Sequence, residues 1–217
     1  MSLIIGIDGP AGSGKGTITK IIAEKLGLVN IDTGAMYRCV ALATLRAGLS
    51  LEEDAAITEL AKKINISFDK EGRVFLDGED VSSRIREKDV SSIVSPLSNN
   101  IGVREEMVKQ QRALSEGLDV IMEGRDITTV VFPNANYKFY LDASIEERAK
   151  RRYKQNQESG VDMSYEEILE NIKKRDYNDM HKEVGALKRT EDQIYIDSTN
   201  LSIDEVADEI LKHIKER

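Results

Sequence analysis

The chain has 217 residues, 40% of them hydrophobic and 32% charged, with a net charge of −8, which is ordinary for a globular protein able to bury one core. That charge argues against a broad nucleic-acid surface, and no stretch approaches the ~20 apolar residues needed to span a bilayer. The N-terminal apolar run is too short for a signal peptide, and the single cysteine, Cys39, cannot close an internal disulfide, so a cytoplasmic protein is expected. Cys39 itself reads as a small buried residue on a helix rather than a nucleophile. Nothing demands a partner subunit, so a monomer is expected.

In chain order, residues 3–7 (LIIGI) read as a buried strand. They lead into GPAGSGKGT: Gly9, Pro10, Ala11, Gly12, Ser13, Gly14, Lys15, Gly16 and Thr17. An amphipathic helix is expected over 17–26. Strand, glycine-rich loop and helix together make a phosphate cradle, because glycines let consecutive N–H groups and the helix N-terminus point at one anion. Lys15 adds a charge for the outer phosphates. These residues are expected to bind a nucleoside triphosphate.

A second strand, 28–31, runs into IDTGAMYR. Asp32 and Thr33 can cap the next helix, while Tyr37 and Arg38 on its first turns are either ordinary helix residues or ligand contacts. Ser50 with Glu53 reads as a capping box, as do Ser144 with Glu147, Ser164 with Glu167 and Ser202 with Glu205. Gly27, Gly48 and Gly117 read as helix stops. Residues 64–85 break the pattern: 64–68 and 73–76 resemble strands separated by turn residues, which predicts a small antiparallel insertion.

A third strand, 120–122, ends in Glu123, Gly124, Arg125 and Asp126. An acid at the tip of an apolar strand, in a chain with a phosphate loop, is the usual place to hold Mg²⁺ through water, and Glu123 fills it. Arg125 and Asp126 are either a turn ion pair or part of a site. Strand 138–141 follows, then the polar stretch Lys150 to Met163, which is either a solvated helix end or a lid over phosphates. On the helix expected over 165–182, Arg175, Asp179 and Lys182 share one face at i, i+4 and i+7, although intrahelical pairing alone would explain the first two. The last strand is 194–196.

Short apolar strands alternating with helices predict an α/β fold: one domain with a five-stranded parallel sheet covered by helices on both faces. Within it, 33–115 would form an acceptor-binding region carrying the insertion, and 148–165 a short lid. The cations decide between acceptors. A hydroxyl acceptor needs a carboxylate to take its proton. A phosphate acceptor is already nucleophilic but must be brought against a second anion, and two unit charges 4 Å apart repel by about 4 kcal/mol at an effective dielectric near 20. Arg38, Arg104, Arg125, Arg175 and Lys182, with lid candidates Arg148, Arg151 and Arg152, suit the phosphate acceptor. The expected activity is that of a nucleoside monophosphate kinase.

GPAGSGKGT, IDTGAMYR, VREEMVKQQR, MEGRDITTVVFP, KFYLDASIEERAKRR and IDSTNLSIDEV together resemble the bacterial cytidylate kinases, over nearly the whole chain. The phosphate loop is common to many kinases; the second and fourth motifs are far more specific. The resemblance implies ATP-dependent phosphorylation of CMP and dCMP with Mg²⁺. It places Thr33, Tyr37 and Arg38 in the monophosphate site, with Arg38 and Arg125 on the acceptor phosphate. Ser95, Arg104 and Asp126 would face the cytosine edge, and Arg175 and Asp179 the sugar, with Lys182 completing the acceptor site. Lys15, Arg125 and Arg152 are the candidate catalytic residues. Two positions depart from the family pattern: Lys182 stands where arginine is usual, and Gly185-Ala186-Leu187 where Ala-Pro-Leu is usual. A kinase of a hydroxyl-bearing small molecule and a nucleotide-binding regulator are the alternatives; the regulator's guanine-reading tetrapeptide is absent.

Overall fold

A computed structural model describes residues 2–69, 71–158 and 160–215. Its main sheet has five parallel strands: β1 (Ile4–Asp8), β2 (Val29–Asp32), β6 (Val120–Gly124), β7 (Tyr137–Asp142) and β8 (Ile194–Asp197), in the order β2-β6-β1-β7-β8. All five expected strands are present, each running a residue or two further at its C-terminal end. β1 lies at the centre, and Ile5 and Ile7 are fully buried. Side chains alternate between faces with period 2. On β6, Val120 and Met122 join the core under α2 (Thr33–Arg46), α3 (Asp54–Lys63), α4 (Lys88–Leu97) and α5 (Ile101–Leu114). Ile121 instead joins Phe139, Leu141 and Ile196 beneath α1 (Lys15–Leu26) and α8 (Ile203–Lys215). Buried helices on both faces explain why the strands are apolar throughout rather than alternating. Cys39 is buried in α2, and burial pushes its thiol up to about 12, so the packing role is confirmed. Among the described residues no helix is long and apolar enough to cross a membrane.

The insertion is a three-stranded antiparallel sheet, β3 (Ile66–Phe68), β4 (Val74–Leu76) and β5 (Glu79–Asp80). Asp77 and Gly78 join β4 to β5 with φ of 52° and 85°, the geometry of a tight hairpin that Asp-Gly favours. The third strand escaped the sequence reading because it is two exposed acidic residues; Arg46 holds it through two 2.8 Å bonds to Glu79.

Three helical expectations need correcting. Ser50 and Glu53 form half the expected box: the Ser50 N–H donates to Glu53 Oε2 at 2.8 Å, but the Ser50 hydroxyl accepts from the Glu52 N–H and the helix starts only at Asp54. Ser144 forms half a capping box, because its own N–H donates to Thr199 Oγ1 while Glu147 turns to Arg151. Ser164 and Ser202 form complete boxes. Finally, α7 (Tyr165–Met180) stops before Lys182, so that residue lies in the loop beyond the helix rather than on its face. The polar stretch from Lys150 is mostly helical, since α6 (Ile145–Glu158) continues through it. α6 and α7 form a hairpin with its own small core of Ala149, Ile168 and Ile172, flanked by Tyr153 and Tyr165.

Candidate functional site

β1 ends at Asp8 and the chain curls from Gly9 to Gly14 before α1 begins. A Cβ at Gly9 would overlap the Leu141 carbonyl, and Gly12, with φ of 82°, lies against the backbone of Arg148. Only glycine lets the loop pass this close to both neighbours. No side chain caps α1, which leaves the Lys15 and Gly16 N–H groups to an anion while the Thr17 N–H bonds the Gly14 carbonyl at 3.1 Å. Lys15 is buried and donates to the Gly9 and Pro10 carbonyls at 2.8 Å and to Ser13 Oγ at 3.4 Å. Burial, reinforced by Arg125 and Arg175 and opposed by Glu123, lowers its ammonium to about 7. Glu123 faces Lys15 from the tip of β6, and burial with the nearby Asp32 raises its carboxyl to about 7. A Cβ at Gly16 would fall 2.7 Å from Glu123 Oε1. The glutamate therefore occupies the space that a hydroxyl side chain at position 16 would need.

The opposite wall comes from α2, α4, α5, α7 and the turn after β6. Asp32 caps α2 through the Ala35 N–H at 2.9 Å, and Thr33 Oγ1 donates to the Glu123 carbonyl at 2.7 Å, tying α2 to β6. Tyr37 is buried, with the Arg104 guanidinium 5.7 Å from its ring centre. Arg104 forms a buried ion pair with Asp126. Burial raises the Asp126 carboxyl, with Arg104 the chief but insufficient opposing influence. Arg38 donates to the Ile85 carbonyl at 3.0 Å and to Ser91 Oγ at 2.7 Å. Ser95 Oγ accepts from Asn178 at 2.7 Å.

Asp179 is the hub of this wall. It accepts from Arg125 Nε at 2.8 Å and Lys182 Nζ at 3.1 Å, with Arg175 Nε 4.0 Å away. Burial alone would raise its carboxyl, but Arg125, Lys182 and Arg175 outweigh that and hold it at about 2. Arg175 is in electrostatic deficit. Burial together with Arg125, Arg38 and Arg152 lowers its guanidinium to about 10, and its Nε is buried without a hydrogen-bond partner.

The lid candidates divide. Arg148 is not a free phosphate ligand: it is buried, paired with Asp176 at 2.6 Å, and donates to the Ala143 and Ala11 carbonyls at 3.0 and 3.1 Å. Arg151 is likewise committed, to Glu147, to the Ser198 carbonyl at 2.6 Å and to the Ser13 carbonyl at 3.4 Å. These two arginines fasten the α6–α7 hairpin to the phosphate loop. Among the described residues Arg152 bonds within its own helix, to Gln155 at 2.8 Å, and it is electrostatically close to Arg175 and Arg86. Sequence reasoning missed Arg86, which lies 3.6 Å from Asp32 beside Arg38 and Arg152; one arginine after the insertion carries no signal of its own. It also missed Asp8, whose position at the tip of an apolar strand matches that of Glu123. Among the described residues no cluster of three or more His, Cys, Asp or Glu could cage a metal ion.

A family model for cytidylate kinase matches residues 5–216. The chain is 49% identical to the cytidylate kinase of Caldanaerobacter subterraneus subsp. tengcongensis over 99% of this chain and 96% of that one. It is 47% identical to the cytidylate kinase of Bacillus subtilis, over 99% and 97%. Among solved structures, an uncharacterized protein from Eubacterium ventriosum shares the fold with a TM-score of 0.56 at 14% identity, covering all of both chains.

Two outcomes follow from the geometry. Arg148→Ala leaves Asp176 buried and unpaired and should cost about 3–5 kcal/mol of stability, read as a lower urea midpoint. Asp179 has a folded value of about 2 against an unfolded value near 3.9, so it stabilises the fold above pH ~4, and that contribution, about 2–3 kcal/mol, is lost as pH falls from ~4 through ~2. Urea titrations between pH 2 and 7 should show this acid limb shrinking in Asp179→Asn.

Proposed function

The chain belongs to the cytidylate kinase family, and on that premise we propose that it transfers the γ-phosphoryl group of ATP to CMP and dCMP. The observation that carries the reading is the pairing of a cation-rich wall with a buried Arg104–Asp126 couple. Every carboxylate there already faces a cation: Asp126 meets Arg104, Asp179 meets Arg125 and Lys182, and Glu123 lies near Lys15. Cations rather than an unpaired carboxylate dominate this wall, and an acceptor phosphate, unlike a hydroxyl, needs no base.

The amides of Gly9–Thr17 and Lys15 hold the triphosphate; Arg38 and Arg125 take the acceptor phosphate, with Arg152 completing the positive field from α6. The cytosine amine donates to Asp126, while its N3/O2 edge accepts from Arg104 and Ser95. Uracil would set its own acceptor oxygen against the Asp126 carboxylate, two acceptors facing with no proton between them. Arg175 and Asp179 address the sugar. Members of this family use ATP, typically with Mg²⁺. Glu123 fits such an ion: a buried strand-tip carboxylate over Gly16, with few protein oxygens around it, suits a cation held mainly by waters and phosphates. When bound, the ion would neutralise charge on the transferring group.

An ADP-release assay with ATP, Mg²⁺ and a panel of CMP, dCMP, UMP and AMP tests the reading. CMP and dCMP should be the best acceptors, and a panel led by another acceptor would overturn it. Lys15→Ala should lower turnover on the order of 10²-fold or more, by analogy with removal of a single transition-state donor. Asp126→Ala should narrow the preference for CMP over UMP while leaving the KM for ATP in place; an unchanged preference would remove Asp126 from base reading.

A further inference from the structure

Asp8 has no role in the mechanism above, yet it is fully buried and densely bonded. Its carboxylate accepts from the Ile127 N–H at 2.7 Å, the Thr128 N–H at 2.9 Å and Thr128 Oγ1 at 2.6 Å. Gln193, just before β8, donates to the same threonine hydroxyl at 2.6 Å and lies 3.4 Å from Asp8. Burial raises the Asp8 carboxyl despite these bonds. A buried charge is an expensive way to fasten a loop, because removing a carboxylate from water costs several kcal/mol before any bond is made. What this one fastens is the turn that begins one residue after Asp126.

The turn is a single wide loop of backbone, Ile127–Val131, closed by the Val131 N–H on the Asp126 carbonyl at 3.2 Å and the Phe132 N–H on the Ile127 carbonyl at 2.6 Å. Such π-type turns are rare and concentrate at functional positions. Its floor is cleared by glycines: a Cβ at Gly6 would come within 2.7 Å of Thr128, and one at Gly124 within 2.7 Å of Ile127. The turn is thus seated on β1 and β6 and clamped from the end of β1. Asp8 also immediately precedes Gly9, the first residue of the phosphate loop. One side chain on the central strand therefore links the donor cradle to the loop presenting Arg125 and Asp126. In-line transfer depends on that registry, since a displacement of about 1 Å can cost 10²-fold in rate.

We infer that Asp8 is a positioning residue whose carboxylate, braced by Thr128 and Gln193, sets the place of Arg125 and Asp126 relative to the phosphate loop and thereby governs acceptor affinity and base selectivity. The inference rests on the CMP kinase reading above. It is tested with Asp8→Asn, Thr128→Val and Thr128→Ser, measuring KM for CMP and ATP, the ratio of kcat/KM for CMP over UMP, melting temperature, and amide exchange at residues 125–128. Asp8→Asn and Thr128→Val should raise the KM for CMP by about ten- to a hundredfold, reduce the CMP-to-UMP ratio, leave the KM for ATP within about twofold, and speed exchange at 127 and 128. Thr128→Ser, which keeps the hydroxyl, should restore all four. Lower melting temperatures with the KM for CMP and the selectivity unchanged would reduce Asp8 to a structural residue and overturn the inference. Thr128→Val carries the test if Asp8→Asn does not fold. Should the wild type fail to phosphorylate CMP, the functional reading falls, and exchange at 127 and 128 still decides whether the clamp exists.

Discussion

Mutual repulsion among cations is the constraint on which this site depends. Arg125, Arg175, Lys182, Arg38 and Lys15 act electrostatically on one another or on a shared carboxylate across a buried to half-buried cleft, and like charges so gathered repel. Asp179 makes the arrangement tolerable by bonding two of them and standing 4.0 Å from a third. One carboxylate cannot balance them all. Burial first, and repulsion from neighbouring cations second, lower the Lys15 ammonium to about 7 and the Arg175 guanidinium to about 10. A cleft in that condition gains more from a polyanion than a neutral cleft with the same donors would, because the incoming charge relieves repulsion already present.

The same cations are parked rather than loose. Lys15 rests on the Gly9 and Pro10 carbonyls, Arg38 on the Ile85 carbonyl, and Arg125 reaches the Gly124 carbonyl at 3.3 Å as well as Asp179. Backbone carbonyls are weaker acceptors than phosphate oxygens, so exchanging one for the other favours the phosphate while side-chain entropy has already been lost in folding. Arg148 and Arg151 extend this order outward by pinning the loop's carbonyls to α6, which keeps the cradle shaped while its centre stays accessible.

The legible parts of the chain were those where local chemistry and tertiary role coincide. Five apolar runs became the five parallel strands because a sheet covered on both faces requires uninterrupted hydrophobicity. The glycine loop was legible because no other residue fits beneath Leu141 and Arg148. What sequence hid were choices made by partners distant along the chain. Arg148 looked like Arg152 until Asp176, on a different helix, claimed it. Glu147 looked like a capping residue until Arg151 drew it away. Lys182 fell outside its helix because α7 ends at Met180, a boundary that no glycine or proline at that point announces. Asp8 was hidden by its neighbours, since next to a phosphate loop an acid at a strand end draws little notice.

The two departures from the family pattern are joined by geometry. Lys182 spends two of its three donors on Asp179 and on Ser98 Oγ, at 3.1 and 2.6 Å, which draws the chain after α7 inward toward α4. Seven residues beyond Met180 that chain has returned, because the Leu187 N–H bonds the Asp179 carbonyl at 2.8 Å. Between these anchors Gly185 turns with φ of 67° directly against the buried Arg104–Asp126 pair, and a Cβ there would overlap the Arg104 guanidinium. An alanine at 185 would face both a disfavoured left-handed backbone and that collision, so it requires the loop to stand further out. The ammonium at 182 draws the loop in, and the glycine at 185 lets it approach the Arg104–Asp126 pair. Lysine at 182 thus keeps one donor uncommitted where arginine would present a planar fork.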